Sequence, residues 1–239
     1  MPKANQHMVI VGGTSGIGLP LAGAAHALGC NLTIAGRGTE RAAAIAKSMG
    51  PGVTGCHIDL EDSASIRAAL GEGPPVDHFV LVPIYSLATT AKTFNAAEAR
   101  KVLQIKLTGY LEAINAVLPR LKPTASIVLF GGVAKAKPYP SSTMITVANA
   151  GIVGMMRTLA IELAPVRVNT VSPGLVADSP KWDAAVKAGT NPVVDAMIAR
   201  TPTRRLATMD DVIHAVFFLL DNPAVNGHDL ELDGGMQLV

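Results

Sequence analysis

Short apolar runs rich in Val and Ile recur along the chain and alternate with longer Ala-rich segments whose apolar positions return every three or four residues. The runs "HMVIVG", "NLTIAG", "VTGCHI", "DHFVLVP", "ASIVLFG", "VRVNTVS" and "HDLEL" predict strands, and the segments 16–28, 39–49, 62–70, 95–121, 142–163 and 209–220 predict helices. Two helix starts carry capping pairs, Asn95 with Glu98 and Thr208 with Asp211, whose side-chain acceptors suit the free N–H groups of a first turn. The buried face of 142–163 is expected to carry Ile145, Ala148, Ile152 and Leu159. Strands this apolar are covered on both faces. Alternating with helices, they imply an α/β fold, a doubly wound parallel sheet of about seven strands with helices on both faces. No internal repeat or low-complexity linker divides residues 1–239, so one domain is expected. The pattern is weakest at about 174–205, where "SPKW", "TNPV" and "TPTRR" break it with prolines, and a long insertion there would serve as a lid.

Composition narrows the partners. The 239 residues are 49% hydrophobic and 16% charged, enough for one large core. The net charge is only +2 and the 20 basic residues are scattered, with no Lys/Arg run to track a phosphate backbone or an anionic bilayer. Neither nucleic acid nor a membrane surface is expected as a partner. The apolar run in "MPKANQHMVIVGG" is broken by glycines before it reaches the length of a signal peptide or a span, which points to the cytoplasm. Cys30 and Cys56 have no metal-ligand spacing and read as free thiols at strand edges, and no metal site is expected.

The first chemical signal is "VIVGGTSGIG", in which Gly12, Gly16 and Gly18 follow a strand and open a helix. Gly12 permits a tight turn, Gly16 lets backbone approach a pyrophosphate, and Gly18 allows close helix packing, while the helix N-terminus favours negative charge. Thr14, Ser15 and Ile17 complete the candidate dinucleotide loop. The next strand ends in "IAGRGTER". An acidic residue there would receive the ribose hydroxyls of NAD, but the place is held by Arg37, with Arg41 one turn on. A guanidinium suits a 2′-phosphate, so NADP(H) is the expected cofactor.

With these residues in view, the chain resembles the short-chain dehydrogenase/reductase family over essentially its whole length. The resemblance also includes "HIDL", "VRVNTVSPGLV", "RRLATMDDVIHAVFFLL" and the closing "ELDGG". It implies a Rossmann-type dinucleotide-binding domain, a small-molecule substrate, and Asp59 and Leu60 near the adenine. Pro173, Gly174 and Val176 would lie toward the nicotinamide. It further implies a homo-oligomer, usually a tetramer, built through the helices at 95–121 and 142–163.

The same resemblance places the family's catalytic groups on residues that cannot act in the usual way. Aligning "NAGIVGMMRTLAIEL" puts Ile145 at the tyrosine and Asn149 at the lysine. The tyrosine protonates the carbonyl oxygen as hydride arrives, and the lysine holds the nicotinamide ribose and lowers the tyrosine pKa. "LFGGVA" places Gly132 at the serine, and "KLTG" places Lys106 at the asparagine of the fourth helix. The family's "NNAG" becomes "LVPI", its first glycine-motif threonine becomes Val11, and the threonine after Pro-Gly becomes Asp178. The enoyl-reducing branch, which separates tyrosine and lysine by six residues, is not expected.

Lys106 and Asn149 read as an exchange of the family's lysine and asparagine. Lys106 either lies on an exposed helix face or reaches a partly dry cleft, where its pKa falls and it serves as proton donor or electrostatic clamp, with Asn149 as partner. Tyr85, Tyr139, Ser141, Ser142 and Thr143 are further donors nearby, and Trp182, Met144, Met155 and Met197 are possible pocket lining. Three functions remain open. The leading one is an NADP(H)-dependent oxidoreductase with a non-standard site, suited to a substrate that needs little acid help, such as a conjugated or iminium system. The others are a catalytically silent NADPH-binding sensor or partner subunit, and a non-redox lyase or isomerase using Lys106 or Asp178 as base.

Overall fold

The computed structural model describes residues 1–180, 182–189 and 191–239, so Lys181 and Thr190 of the expected insertion lie outside the described residues. Seven strands are present: β1 (His7–Val11), β2 (Asn31–Gly36), β3 (Val53–His57), β4 (Val76–Leu81), β5 (Leu121–Phe130), β6 (Arg167–Pro173) and β7 (Asp229–Leu232). All pair in parallel, in the order β3-β2-β1-β4-β5-β6-β7. The connecting helices are α1 (Gly18–Ala27), α2 (Thr39–Met49), α3 (Ser63–Leu70), α4 (Ala96–Leu103), α5 (Gly109–Val117), α6 (Thr143–Glu162), α7 (Asp183–Ala188), α8 (Pro192–Arg200) and α9 (Met209–Asp221). This is the expected doubly wound sheet.

Successive strand residues point to opposite faces, and the core divides accordingly. Val9 and Val11 of β1 join Phe79, Ile127, Tyr110 and Ile152 under α3, α5 and α6, whereas Met8 and Ile10 join Leu32, Val128, Leu21 and Val216 under α1 and α9. The chain leaves β1 toward β2 on one side and returns to β4 on the other. That reversal opens a crevice at the carboxyl ends of the strands, where doubly wound sheets take their ligands.

Four details depart from the sequence reading. The helix expected over 95–121 is interrupted by a π-helical turn at Gln104–Thr108, and a 3₁₀ turn, Leu118–Arg120, ends it. β5 then starts at Leu121, before the apolar run at 125, because Lys122 meets both carboxylate oxygens of Asp77 on the neighbouring strand, at 2.8 and 2.9 Å. The insertion is not a long loop but carries α7 and α8. Asn191 starts α8 by accepting from the Val193 and Val194 N–H groups, with Pro192 in the first turn where its missing N–H costs nothing. Thr208 and Asp211 form a full reciprocal cap on α9, whereas Asn95 caps α4 alone because Glu98 turns to the Tyr85 hydroxyl.

Helix α6 is long and apolar enough to cross a membrane by length and composition. Here it lies along the sheet, with Ile152 and Met156 fully buried, and its expected core face of Ile145, Ala148, Ile152 and Leu159 is buried throughout.

Candidate active site

The glycine loop runs from the end of β1 into α1. Gly12 and Gly16 hold positive φ, +85° and +53°, and a β-carbon on Gly18 would stand 2.2 Å from the Gly12 carbonyl oxygen. Only glycine fits at Gly18. Nothing lies within 4 Å of where a β-carbon on Gly16 would point, and among the described residues the N–H groups of Ser15, Gly16 and Ile17 have no backbone acceptor. The loop is therefore open above its backbone and presents free donors at a helix N-terminus, which fits a pyrophosphate. Thr14 is buried beneath it and touches Gly36 of β2, and Ile17 packs into the core below.

At the carboxyl end of β2, Arg37 is exposed, and its carbonyl accepts from the His57 Nδ1–H at 2.9 Å. Arg41 is differently employed: its Nε donates to the Thr14 carbonyl at 3.1 Å and ties α2 to the glycine loop. Both residues are exposed, and Arg37 is the one whose guanidinium makes no hydrogen bond or ion pair among the described residues. Asp59 follows β3, where one carboxylate oxygen takes the Glu61 N–H. The Leu60 side chain is buried in the core, so Leu60 can offer a ligand only its backbone.

Pro173 closes β6, and the Gly174 N–H donates to the Leu232 carbonyl at 2.9 Å. Val176 is buried and bridges to Ala207. Asp178 is committed to a structural bond, accepting the Met209 N–H at 2.8 Å at the start of α9. A small cavity between this turn and α8 is lined by Gly174, Met197, Thr201 and Leu206.

Lys106 lies on the π-helical turn with only 2% of its surface exposed, so the exposed-face alternative is overturned. Its Nζ stands 5.7 Å from the centre of the Tyr110 ring and has no hydrogen-bond or ion-pair partner among the described residues. Burial alone pulls its pKa down to about 7. Tyr110 donates to the Leu81 and Pro83 carbonyls at 3.0 and 2.8 Å, which anchors this ring at the carboxyl end of β4. Pro83 in turn lies against Gly12 of the glycine loop. The altered "LVPI" segment thus joins the Lys106 region to the cofactor region. Sequence reasoning missed Tyr110, although its place four residues after Lys106 was a signal.

On α6, Asn149 is 3% exposed and its Oδ1 is buried with no hydrogen-bond partner among the described residues. Its Nδ2 lies 2.6 Å from where a β-carbon on Gly132 would stand, just beyond β5. Ile145, one turn before Asn149, is buried and offers hydrocarbon alone. The structure thus gathers Gly132, Ile145 and Asn149 beside the end of β5, and holds Lys106 beside the end of neighbouring β4.

The sequence model of the family described as enoyl-(acyl carrier protein) reductase matches residues 11–237. The chain is 30% identical to 2-(S)-hydroxypropyl-CoM dehydrogenase 3 of Xanthobacter autotrophicus, over 98% of each protein. The chain belongs to the short-chain dehydrogenase/reductase family. It is 27% identical to the inactive 2-(S)-hydroxypropyl-CoM dehydrogenase 2 of the same organism, over 92% of this chain and 100% of that protein. The crystal structure of a short-chain glucose/ribitol dehydrogenase from Brucella melitensis superposes with a TM-score of 0.88 at 26% identity, covering 98% of this chain and 97% of that one. The protein is an oxidoreductase of the short-chain type, and such proteins use nicotinamide cofactors and act on small molecules.

The remaining donors of this short-chain dehydrogenase/reductase are placed differently from one another. Tyr139 is 57% exposed in the turn before α6. Ser142 and Thr143 are tied into that turn through Thr89, whose carbonyl takes the Thr143 N–H and whose hydroxyl takes the Met144 N–H. Tyr85 donates to Glu98 at 2.6 Å, with Lys101 over its ring. Tyr85 and Lys92 are in fact separated by six residues, contrary to the sequence reading, but they stand in the loop before α4, and Lys92 is exposed. Met144 and Met155 pack into the core, and Trp182 is half-buried at the start of α7.

Proposed function

We propose that the chain is an NADP(H)-dependent oxidoreductase with a non-standard active site, in which Gly132, Ile145, Asn149 and Lys106 stand where the family has its serine, tyrosine, lysine and asparagine. Gly12, Thr14, Ser15, Gly16, Ile17 and Gly18 cradle the pyrophosphate and Arg37 meets the 2′-phosphate. Asp59 and the Leu60 backbone border the adenine, and Pro173, Gly174 and Val176 border the nicotinamide. The bound cofactor supplies or accepts the hydride. Lys106 supplies the proton from Nζ to the substrate oxygen or nitrogen, and Asn149 accepts a hydroxyl through Oδ1. Ile145 keeps water from the reacting face.

The observation that carries this reading is the buried Lys106, which faces the Tyr110 ring but has no hydrogen-bond or ion-pair partner among the described residues, with its pKa near 7. Burying an ammonium with no hydrogen-bond acceptor costs stability, and an ammonium poised near neutrality is suited to proton transfer. The substrate is a small molecule. Residues 1–239 act as one domain in which 174–205, with α7 and α8, closes as a lid. The exposed Leu111 on α5 and the exposed Val147 and Ile161 on α6 support a homo-oligomer, a tetramer or dimer, and the expected location is the cytoplasm.

A second reading is a catalytically silent NADPH binder. It is favoured by the hydrocarbon of Ile145 in the tyrosine position and by a relative whose name declares it inactive. A non-redox lyase or isomerase would use Lys106 as base in preference to Asp178, one of whose carboxylate oxygens accepts the Met209 N–H at the start of α9. Calorimetric titration of NADPH and NADH into the wild type and Arg37→Glu tests the cofactor assignment. NADPH is expected to bind more tightly and to lose most in the variant, and equal losses for both nucleotides would refute the 2′-phosphate contact.

A further inference from the structure

We infer that the substrate brings its own negative charge, as a carboxylate, to the ammonium of Lys106. This rests on the oxidoreductase reading above and narrows it to a substrate class. Near the carboxyl ends of β4 and β5, Asn149 Oδ1 is buried with no partner among the described residues, and the buried Lys106 side chain makes no hydrogen bond or ion pair there, its Nζ facing only the Tyr110 ring. They come from elements that pack on one another, since the Leu107 side chain of the π turn lies 2.9 Å from where a β-carbon on Gly151 of α6 would stand.

The charged and titratable groups of the surrounding elements are bonded elsewhere or exposed to solvent. On α5, Tyr110 spends its hydroxyl on the Leu81 and Pro83 carbonyls, and Glu112 accepts from Ser63 at 2.6 Å. On α4, Glu98 takes the Tyr85 hydroxyl and Lys101 pairs with Glu61, while Arg100 is exposed. On β4, Asp77 pairs with Lys122 and His78 bonds Gln6. Arg157 and Glu162 are exposed farther along α6. No carboxylate acts on Lys106, and burial is the whole cause of its lowered pKa.

A buried ammonium needs an anion or strong acceptors. A neutral carbonyl would leave its charge uncompensated, whereas a carboxylate neutralises it and forms charge-assisted hydrogen bonds. Asn149 Oδ1, an acceptor only, takes a hydroxyl of the same ligand or of the cofactor ribose. Pairing with an anion also raises the pKa of the lysine, so binding above neutral pH takes up a proton.

The test is calorimetric titration of formate, acetate and benzoate, each against its amide, into NADPH-saturated protein at pH 8 in two buffers of different ionisation enthalpy. The acids are expected to bind about tenfold or more tightly than the amides. Acid binding should take up a proton, and Lys106→Met should lose both the preference and the uptake. Equal binding of acids and amides, no binding of any acid, or uptake unchanged in the variant would overturn the inference. If the variant does not fold, the wild-type profile decides: uptake must rise from pH 6 toward pH 8, and a flat profile overturns the inference. Failure of NADPH itself to bind would sink the oxidoreductase reading instead, and the same acids titrated without cofactor would still decide whether Lys106 pairs with anions.

Discussion

The Nδ2 atom of Asn149 stands 2.6 Å from the point where a β-carbon on Gly132 would sit. Gly132 has an extended backbone, φ 167°, which any residue adopts, so it is the Asn149 amide and not backbone strain that demands glycine. The two positions therefore change together. Gly132→Ser should push the amide aside and lower stability by about 1–3 kcal/mol. In an Asn149→Ala background most of that penalty should vanish, and denaturant titration of the four proteins measures the coupling. Additive penalties would show that the contact does not govern the site.

Lys106→Met should stabilise the protein while harming function. The folded pKa is about 7 against 10.5 for an ordinary lysine. Between those values the unfolded chain holds a proton that the folded chain lacks, so wild-type stability rises with pH across that window. The gain from methionine should be largest at and below pH 7, on the order of 4 kcal/mol, and should fade toward pH 10.5. Urea midpoints of both proteins at pH 7 and 9.5 check this, and a gain independent of pH would place the lysine in water.

His78 sets the acid limit. Burial holds its pKa at about 4, below the usual 6.5, and its Nδ1 has no partner among the described residues. As pH falls from 6.5 toward 4 the unfolded chain takes up a proton that the folded chain refuses, and stability is lost; above 6.5 this contribution is absent. His7, also lowered chiefly by burial, acts in the same direction. His78→Gln should flatten the fall in unfolding free energy between pH 6.5 and 4.5, and an unchanged slope would assign the acid sensitivity elsewhere.

Arg37→Glu should weaken NADPH by about 10- to 100-fold, the worth of a charge-assisted hydrogen bond or two, and leave NADH within a few-fold. Arg41→Ala should instead weaken both nucleotides, because its guanidinium holds the Thr14 carbonyl of the glycine loop. Competition binding with the two reduced cofactors separates the two arginines.

Much of this architecture was legible in the sequence because strand and helix periods are local. Met8 and Ile10 face one layer and Val9 and Val11 the other, and the glycines of the first turn stand where only glycine fits. α7 and α8 were not legible, because α8 depends on a cap from Asn191 and on Pro192 rather than on an apolar stripe. The long helix concealed its π turn because an extra residue in one turn leaves the hydrophobic period nearly intact. At the site, the positions of Lys106 and Asn149 could be aligned, but the direction of the lysine could not. The inward turn of Lys106, the Tyr110 ring beside it and the lock between Gly132 and Asn149 are tertiary facts.

The most direct test of the account is the loss of NADPH absorbance when the wild type and Lys106→Met are offered carbonyl, imine and enone compounds, with carboxylate-bearing members included. The wild type should turn over, and the variant, still folded and still binding NADPH, should not. Tight NADPH binding with no turnover by the wild type, or turnover that survives in the variant, would contradict it.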